Sequence, residues 1–190
     1  GYNGIDHVLA SGENVNILVL DTEVYSNTGG QASKSSRKGA VCKFASTGKK
    51  TAKKDLLKIA MTYPDVYVGA ISLGANPQNA IKVMLEAEQY NGPSIIVAYA
   101  PCISWGIIKG MVNSIEEEKQ ATKCGYFPIF HYNPATKTFK MDAKSDFKDY
   151  ETLLKGETRY KSLEVINKKE ASTLLKENQS EAEKRYDYYK

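Results

Sequence analysis

Three short apolar runs punctuate this chain: Ile17–Leu20 behind Asn16, Val66–Ile71 with Ser72, and Ile95–Tyr99 behind Ser94. Runs of this length bounded by polar or turn-forming residues predict strands, and the first reads as a strand buried on both faces. Between the second and third, Ile81, Met84, Leu85 and Glu88 recur at helical spacing. Asn76-Pro77 precedes them as an N-cap with proline at the first helical position, and Asn91-Gly92-Pro93 closes the helix after about Tyr90. Ile5 to Ala10 reads as a helix that Gly12 ends in the left-handed conformation. That helix is entered in mid-course and without a Met, so a piece of a longer protein is expected.

Asp55 to Met61 looks helical, while Gly39 to Ala45 fits either an extended segment or a helical turn. Ser114-Ile115-Glu116-Glu117 matches a capping box and predicts a helix to about Cys124. Phe127 to Met141 alternates around Asn133-Pro134-Ala135-Thr136, the pattern of a β-hairpin. Phe147–Leu154 and Lys168–Tyr189 are predicted helices. The second is highly charged, with few large apolar residues beyond Leu174, Leu175 and its tyrosines, and reads as a surface helix or a tail packed on a partner. Strand, long connection, strand, helix, strand is the order of a parallel α/β sheet. The expected organisation is an α/β unit over residues 1–125, followed by a hairpin and helical extension over 126–190.

Composition narrows the class. The 190 residues are 42% hydrophobic and 25% charged, enough for a core. No window approaches ~18 uninterrupted apolar residues, so no membrane span is expected. The opening residues lack the basic-then-apolar pattern of a signal peptide. Net charge is +4, yet residues 33–58 hold nine cations (Lys34, Arg37, Lys38, Lys43, Lys49, Lys50, Lys53, Lys54 and Lys58) against Asp55. That local +8 leaves the remainder at −4, which argues against a nucleic-acid binder. The basic segment fits either an anion-attracting surface or a solvated face. Cys42, Cys102 and Cys124 are an odd, widely spaced set, which fits a reducing compartment better than a disulfide framework. With His7 and His131 as the two imidazoles, a self-contained zinc site is not expected. Both histidines read as structural. Asn178-Gln179-Ser180 is a glycosylation sequon that an intracellular chain would leave unused.

Ligands of open parallel sheets bind beyond the carboxyl ends of strands. Two such ends hold unusual residues: Asp21 to Gly30 after the first run, and Ala100-Pro101-Cys102 after the third. The first has donors suited to a magnesium diphosphate. Thr22 offers a hydroxyl, Val24 a carbonyl and Asn27 an amide oxygen, while Gly29 and Gly30 let backbone N–H groups approach phosphate oxygens. A polar loop whose glycines only turn the chain is the alternative. No GxGxxG follows a strand, and Gly48-Lys49-Lys50-Thr51 fails the P-loop spacing.

The run Leu20-Asp21-Thr22-Glu23-Val24-Tyr25-Ser26-Asn27-Thr28-Gly29-Gly30-Gln31 closely resembles the thiamine-diphosphate segment of pyruvate:ferredoxin (flavodoxin) oxidoreductases. So do Gly1 to Gly12, Ser72-Leu73-Gly74-Ala75-Asn76, Tyr99-Ala100-Pro101-Cys102-Ile103 and Gly156-Glu157-Thr158-Arg159-Tyr160. The motifs follow in order across residues 1–163. The resemblance implies a C-terminal thiamine-diphosphate-binding domain fragment, with residues 1–125 as part of the diphosphate-binding domain. Thr22 (side chain) and Val24 (carbonyl) would be Mg²⁺ ligands, with Asn27 beside the diphosphate. The family's third ligand belongs to a Gly-Asp-Gly motif preceding the equivalent of Gly1, so this chain would hold part of the metal site.

Cys102 would complete a 4Fe-4S cluster whose other ligands lie upstream. A thiolate suits such a cluster, whereas a cysteine ending a buried strand is otherwise a small core residue. Cys42 and Cys124 match no ligand position. Ser104-Trp105-Gly106 departs from the family's Asn-His-Gly, and Ser35-Ser36-Arg37-Lys38-Gly39 is more basic than its Ala-Thr-Pro version. The implied reaction is oxidative decarboxylation of pyruvate to acetyl-CoA, with single electrons passing through iron–sulfur clusters to ferredoxin or flavodoxin. Partners would be the enzyme's remaining domains, ferredoxin or flavodoxin, pyruvate and CoA, with the full-length protein a homodimer. The isolated chain would be inactive. The cytoplasm, or an anaerobic organelle in a eukaryote, is the expected location. Two alternatives stay open: a non-redox thiamine-diphosphate decarboxylase, which needs no cluster thiolate, and a non-catalytic assembly module of a redox complex.

Overall fold

The computed structural model describes residues 2–190. In chain order the elements are α1 (Tyr2–Ala10), β1 (Asn16–Asp21), β2 (Val24–Tyr25), β3 (Gln31–Ala32), α2 (Leu56–Ala60), β4 (Tyr67–Ile71), α3 (Pro77–Gln89), β5 (Ser94–Tyr99), α4 (Ser114–Lys123), β6 (Phe130–Asn133), β7 (Thr138–Met141), α5 (Tyr150–Lys155), α6 (Thr158–Lys161), α7 (Leu163–Ile166) and α8 (Ala171–Tyr189). The central sheet has the order β1-β5-β4-β6-β7. β1, β5 and β4 run parallel, and the β6–β7 hairpin adds antiparallel to β4. The short β2–β3 ribbon stands apart, beyond the end of β1.

Strand alternation divides the core. Tyr67, Ile71 and Ile96 face α3, where they meet Ala80, Val83 and Ala87. Val68, Ala70, Ile95, Val97 and Tyr99 face the other way, onto Leu57 and Ala60 of α2, Tyr126, Phe127, Leu153, Ala182 and Tyr189. That larger cluster is continuous from Leu9 to Tyr189, so the hairpin and C-terminal helices share sheet and core with the first 125 residues. The α3 cap is as expected: Asn76 accepts the Asn79 N–H at 3.0 Å with Pro77 at the first helical position.

Three expectations need correction. β1 is an edge strand with one face open rather than one buried on both faces: α3 covers β4 and β5, and Leu18 and Leu20 are left 54% and 64% exposed. Ser114 is already helical, and Asn113 precedes α4 without a side-chain cap. Glu117 turns inward, so the capping box does not form. The final helix, expected as a surface helix or a tail packed on a partner, packs into this chain's own core. Leu174, Asn178, Ala182, Tyr186 and Tyr189 recur every three or four residues and are buried. Asn178 donates to the Lys38 carbonyl at 2.8 Å and accepts from the Tyr150 hydroxyl at 2.7 Å, which also places the sequon asparagine in the core. Small, amide and tyrosine side chains supply this seam, hence the missing apolar signal.

Candidate cation and thiol site at the carboxyl ends of β1 and β5

Parallel pairing puts the ends of β1 and β5 side by side, Asp21 opposite Tyr99. The two unusual loops therefore meet. Ser26 Oγ lies 2.9 Å from Cys102 Sγ, and the Trp105 indole N–H donates to the Thr22 carbonyl at 2.7 Å. Trp105 is fully buried, with its ring 5.2 Å from Tyr99 and the Arg159 guanidinium 4.2 Å above it. At Ser104-Trp105-Gly106 the tryptophan ties one loop to the other.

The Thr22 hydroxyl donates to the Val24 carbonyl at 3.0 Å. Oxygens about 3.0 Å apart are spaced as neighbouring corners of an octahedron with bonds of about 2.1 Å, the geometry Mg²⁺ demands. The two atoms thus fit one small divalent cation, the hydroxyl turning its hydrogen away to coordinate. They border a cleft of about 470 Å³ that also meets Tyr2, Asp21, Lys53 and Phe127. That is a ligand-sized space. Asn27 is exposed on the following turn.

Gly29 and Gly30 act differently from the expectation. Their N–H groups donate within the turn, to Ser26 O at 3.1 Å and Tyr25 O at 2.9 Å, and so do not face a ligand. Their φ values of 101° and 86° require glycine. A Cβ would lie 2.8 Å from the Lys43 ammonium at Gly29 and 3.0 Å from Ser104 at Gly30. The glycines bring the turn against Lys43 and the Cys102 loop.

Cys102 is 5% exposed and caps a short 3₁₀ turn, accepting the Ser104 N–H at 3.4 Å. Burial would push its thiol up, but hydrogen bonds from Ser26 and Ser104 outweigh this and hold it below the ordinary value. A thiol poised toward thiolate suits iron–sulfur ligation. No group of three or more His, Cys, Asp or Glu assembles a metal site among the described residues. Burial raises the thiols of Cys42 and Cys124, the latter to about 11, in line with packing roles.

Beneath the 22–24 turn lies an ionic network with no local signal in the sequence. Glu23, buried and at φ 56°, accepts from Arg37 Nε at 2.9 Å, Arg159 at 2.9 Å and the Tyr126 hydroxyl at 2.6 Å, with Lys53 at 3.4 Å. Burial alone would raise its carboxyl, but Lys53, Arg37 and Arg159 hold it far below the usual carboxylate range. Arg159 belongs to Gly156–Tyr160, so the last recognised motif reaches the first. The motif after β4 is anchored too: Glu118 accepts from the Ser72 hydroxyl and the Gly74 N–H, both at 2.8 Å.

The basic segment is largely spent inside the molecule. Arg37 and Lys53 serve Glu23 and Asp21, Lys38 pairs with Glu177 and Glu181, and Lys50 with Glu170. The Lys49 ammonium donates to the carbonyls of Ser36, Thr51 and Ala52, while Lys54 and Lys58 stand over the rings of Tyr2 and Tyr188. Folding thus absorbs most of a charge excess that reads as a surface in the sequence. His131 is structural, bonded to Asp142 at 2.7 Å in the hairpin, and His7 is exposed on α1. No helix among the described residues is long and apolar enough to cross a membrane.

No protein-family model matches the chain. Over its whole length it is 48% identical to the pyruvate:ferredoxin oxidoreductase of Moorella thermoacetica and 46% identical to the pyruvate-flavodoxin oxidoreductase of Trichormus variabilis. The chain is homologous to one segment of the pyruvate:ferredoxin/flavodoxin oxidoreductases. It spans about 16% of the length of those two relatives. A 2-oxoglutarate:ferredoxin oxidoreductase from Magnetococcus marinus, solved with 2-oxoglutarate, coenzyme A and succinyl-CoA bound, superposes with a TM-score of 0.53 at 20% identity, covering 59% of this chain and 38% of that one. That likeness is one of fold, an α/β arrangement with a mostly parallel sheet.

Proposed function

We propose that this chain is the part of a pyruvate:ferredoxin or pyruvate-flavodoxin oxidoreductase that grips the Mg²⁺ of thiamine diphosphate and supplies one thiolate to the neighbouring 4Fe-4S cluster. The carrying observation is the 3.0 Å spacing of Thr22 Oγ1 and Val24 O at the strand end. The Cys102 loop, tied to that turn through Ser26 and Trp105, accompanies it. Thiamine diphosphate, when bound, supplies the electron sink for decarboxylating a 2-oxoacid such as pyruvate. This chain's residues hold and orient. Thr22 and Val24 would fix the cation, Asn27 would border the diphosphate, and Cys102 would seat the cluster close to the cofactor. The acyl acceptor would be CoA, the electron acceptor ferredoxin or flavodoxin, and the working unit a homodimer of the longer protein.

The test uses that longer protein. Thr22→Ala combined with Asn27→Ala is expected to weaken Mg-thiamine-diphosphate binding measured by calorimetry; wild-type affinity would refute the assignment. Cys102→Ser is expected to remove or alter one cluster signal in electron paramagnetic resonance, and an unaltered spectrum would return Cys102 to a packing role.

A further inference from the structure

We infer that Glu23, which itself holds no cation, is a positioning residue that gives the Thr22–Val24 turn its preference for Mg²⁺ over larger divalent cations. The inference rests on the proposal that Thr22 and Val24 are cation ligands. Residue 23 stands between them at φ 56°, a left-handed conformation that an L side chain keeps only when its surroundings enforce it. Here they do. Its carboxylate is held by Arg37, Lys53, Tyr126 and Arg159, residues from four separate stretches of chain.

The backbone is pinned as well. The Glu23 N–H donates to Asp21 Oδ1 at 3.1 Å, its carbonyl accepts from the Ser36 hydroxyl, and the Thr22 carbonyl accepts from the Trp105 indole. Left-handed geometry at 23 reverses the chain, so that the oxygens of residues 22 and 24 come together at 3.0 Å. Mg²⁺ requires near-ideal octahedral geometry at 2.0–2.1 Å, whereas Ca²⁺ accepts looser arrangements at 2.3–2.6 Å. A turn locked at the shorter spacing therefore discriminates, and unlocking it costs Mg²⁺ more than Ca²⁺.

The experiment titrates Mg²⁺ and Ca²⁺ separately into the full-length protein carrying this chain, with thiamine diphosphate present, read by calorimetry and intrinsic fluorescence. Folding of each variant is checked by circular dichroism. Glu23→Gln is expected to lower Mg²⁺ affinity by about 10–100-fold, as loss of an outer support to a metal ligand commonly does. Ca²⁺ affinity should fall less, so that the Mg²⁺/Ca²⁺ ratio drops. Tyr126→Phe removes one support without stranding a charge, and should move the ratio the same way by a smaller factor; it decides the question if Glu23→Gln fails to fold. Thr22→Ala should weaken both cations. If Thr22→Ala weakens binding while the Glu23 and Tyr126 variants keep the wild-type ratio, the positioning role is wrong and the cation site stands. If Thr22→Ala changes neither affinity, the cation site itself is wrong.

Discussion

Glu117 and Glu157 make the most quantitative test of the buried electrostatics. Glu117 is 8% exposed on α4, and Glu157 is fully buried beside it. The Oε1 atom of each is buried without a hydrogen-bond partner, and each carboxyl bears on the other's ionisation. Two neighbouring buried carboxyls resist ionising together. Burial first, and then the charge of Glu157, push Glu117 up to about 8. Burial raises Glu157 as well, but Arg159 Nε donates to it, so the shared proton sits on Glu117 at neutral pH. A carboxyl raised from 4.5 to about 8 takes up a proton on folding. Its stabilisation is complete below the unfolded value and is lost as pH rises toward the folded one. At about 1.4 kcal/mol per unit, folding has forfeited on the order of 3 kcal/mol by pH 7.

Glu117→Gln copies the protonated acid and can donate to Glu157. Between pH 5 and 8 its stability over wild type should grow with pH, reaching a gain in thermal midpoint on the order of 5–10 °C. Below pH 5 the two proteins should unfold together. Thermal melts by circular dichroism across this range decide the matter. A difference that does not vary with pH, or a variant less stable than wild type at pH 8, would refute the shared proton.

Two further outcomes test other contacts. Ser26→Ala removes a hydrogen bond that holds the Cys102 thiol down, so in the cluster-free protein the midpoint of the pH dependence of its alkylation should rise; an unmoved midpoint means the serine does not hold the thiolate. Asn178→Ala leaves the Lys38 carbonyl and one bond of the Tyr150 hydroxyl unmet in the core and should cost about 2–4 kcal/mol in urea unfolding, whereas a loss under about 0.5 kcal/mol would place the α8 seam elsewhere.

Most strands and helices were legible in the sequence because their signals are local. Apolar runs at 17–20, 66–71 and 95–99, and the Asn76-Pro77 start, need no knowledge of what packs on them. The turn at 21–30 was legible through its resemblance to a family, together with the oxygen donors of Thr22 and Val24. What the chain could not reveal along its own length is which groups meet. Glu23 looks like one more acid in a polar loop until folding delivers Arg37 from 14 residues away and Arg159 from 136. The basic run at 33–58 looks like a surface until its cations find carboxylates, carbonyls and rings. β1 carries the apolar pattern of a covered strand, yet whether anything covers it depends on where α3 packs across the sheet. Periodicity and turn chemistry act over a few residues, so the sequence by itself determined the elements and the candidate ligands. Ion pairing, burial and strand order act across the whole chain, and only the tertiary structure decided them.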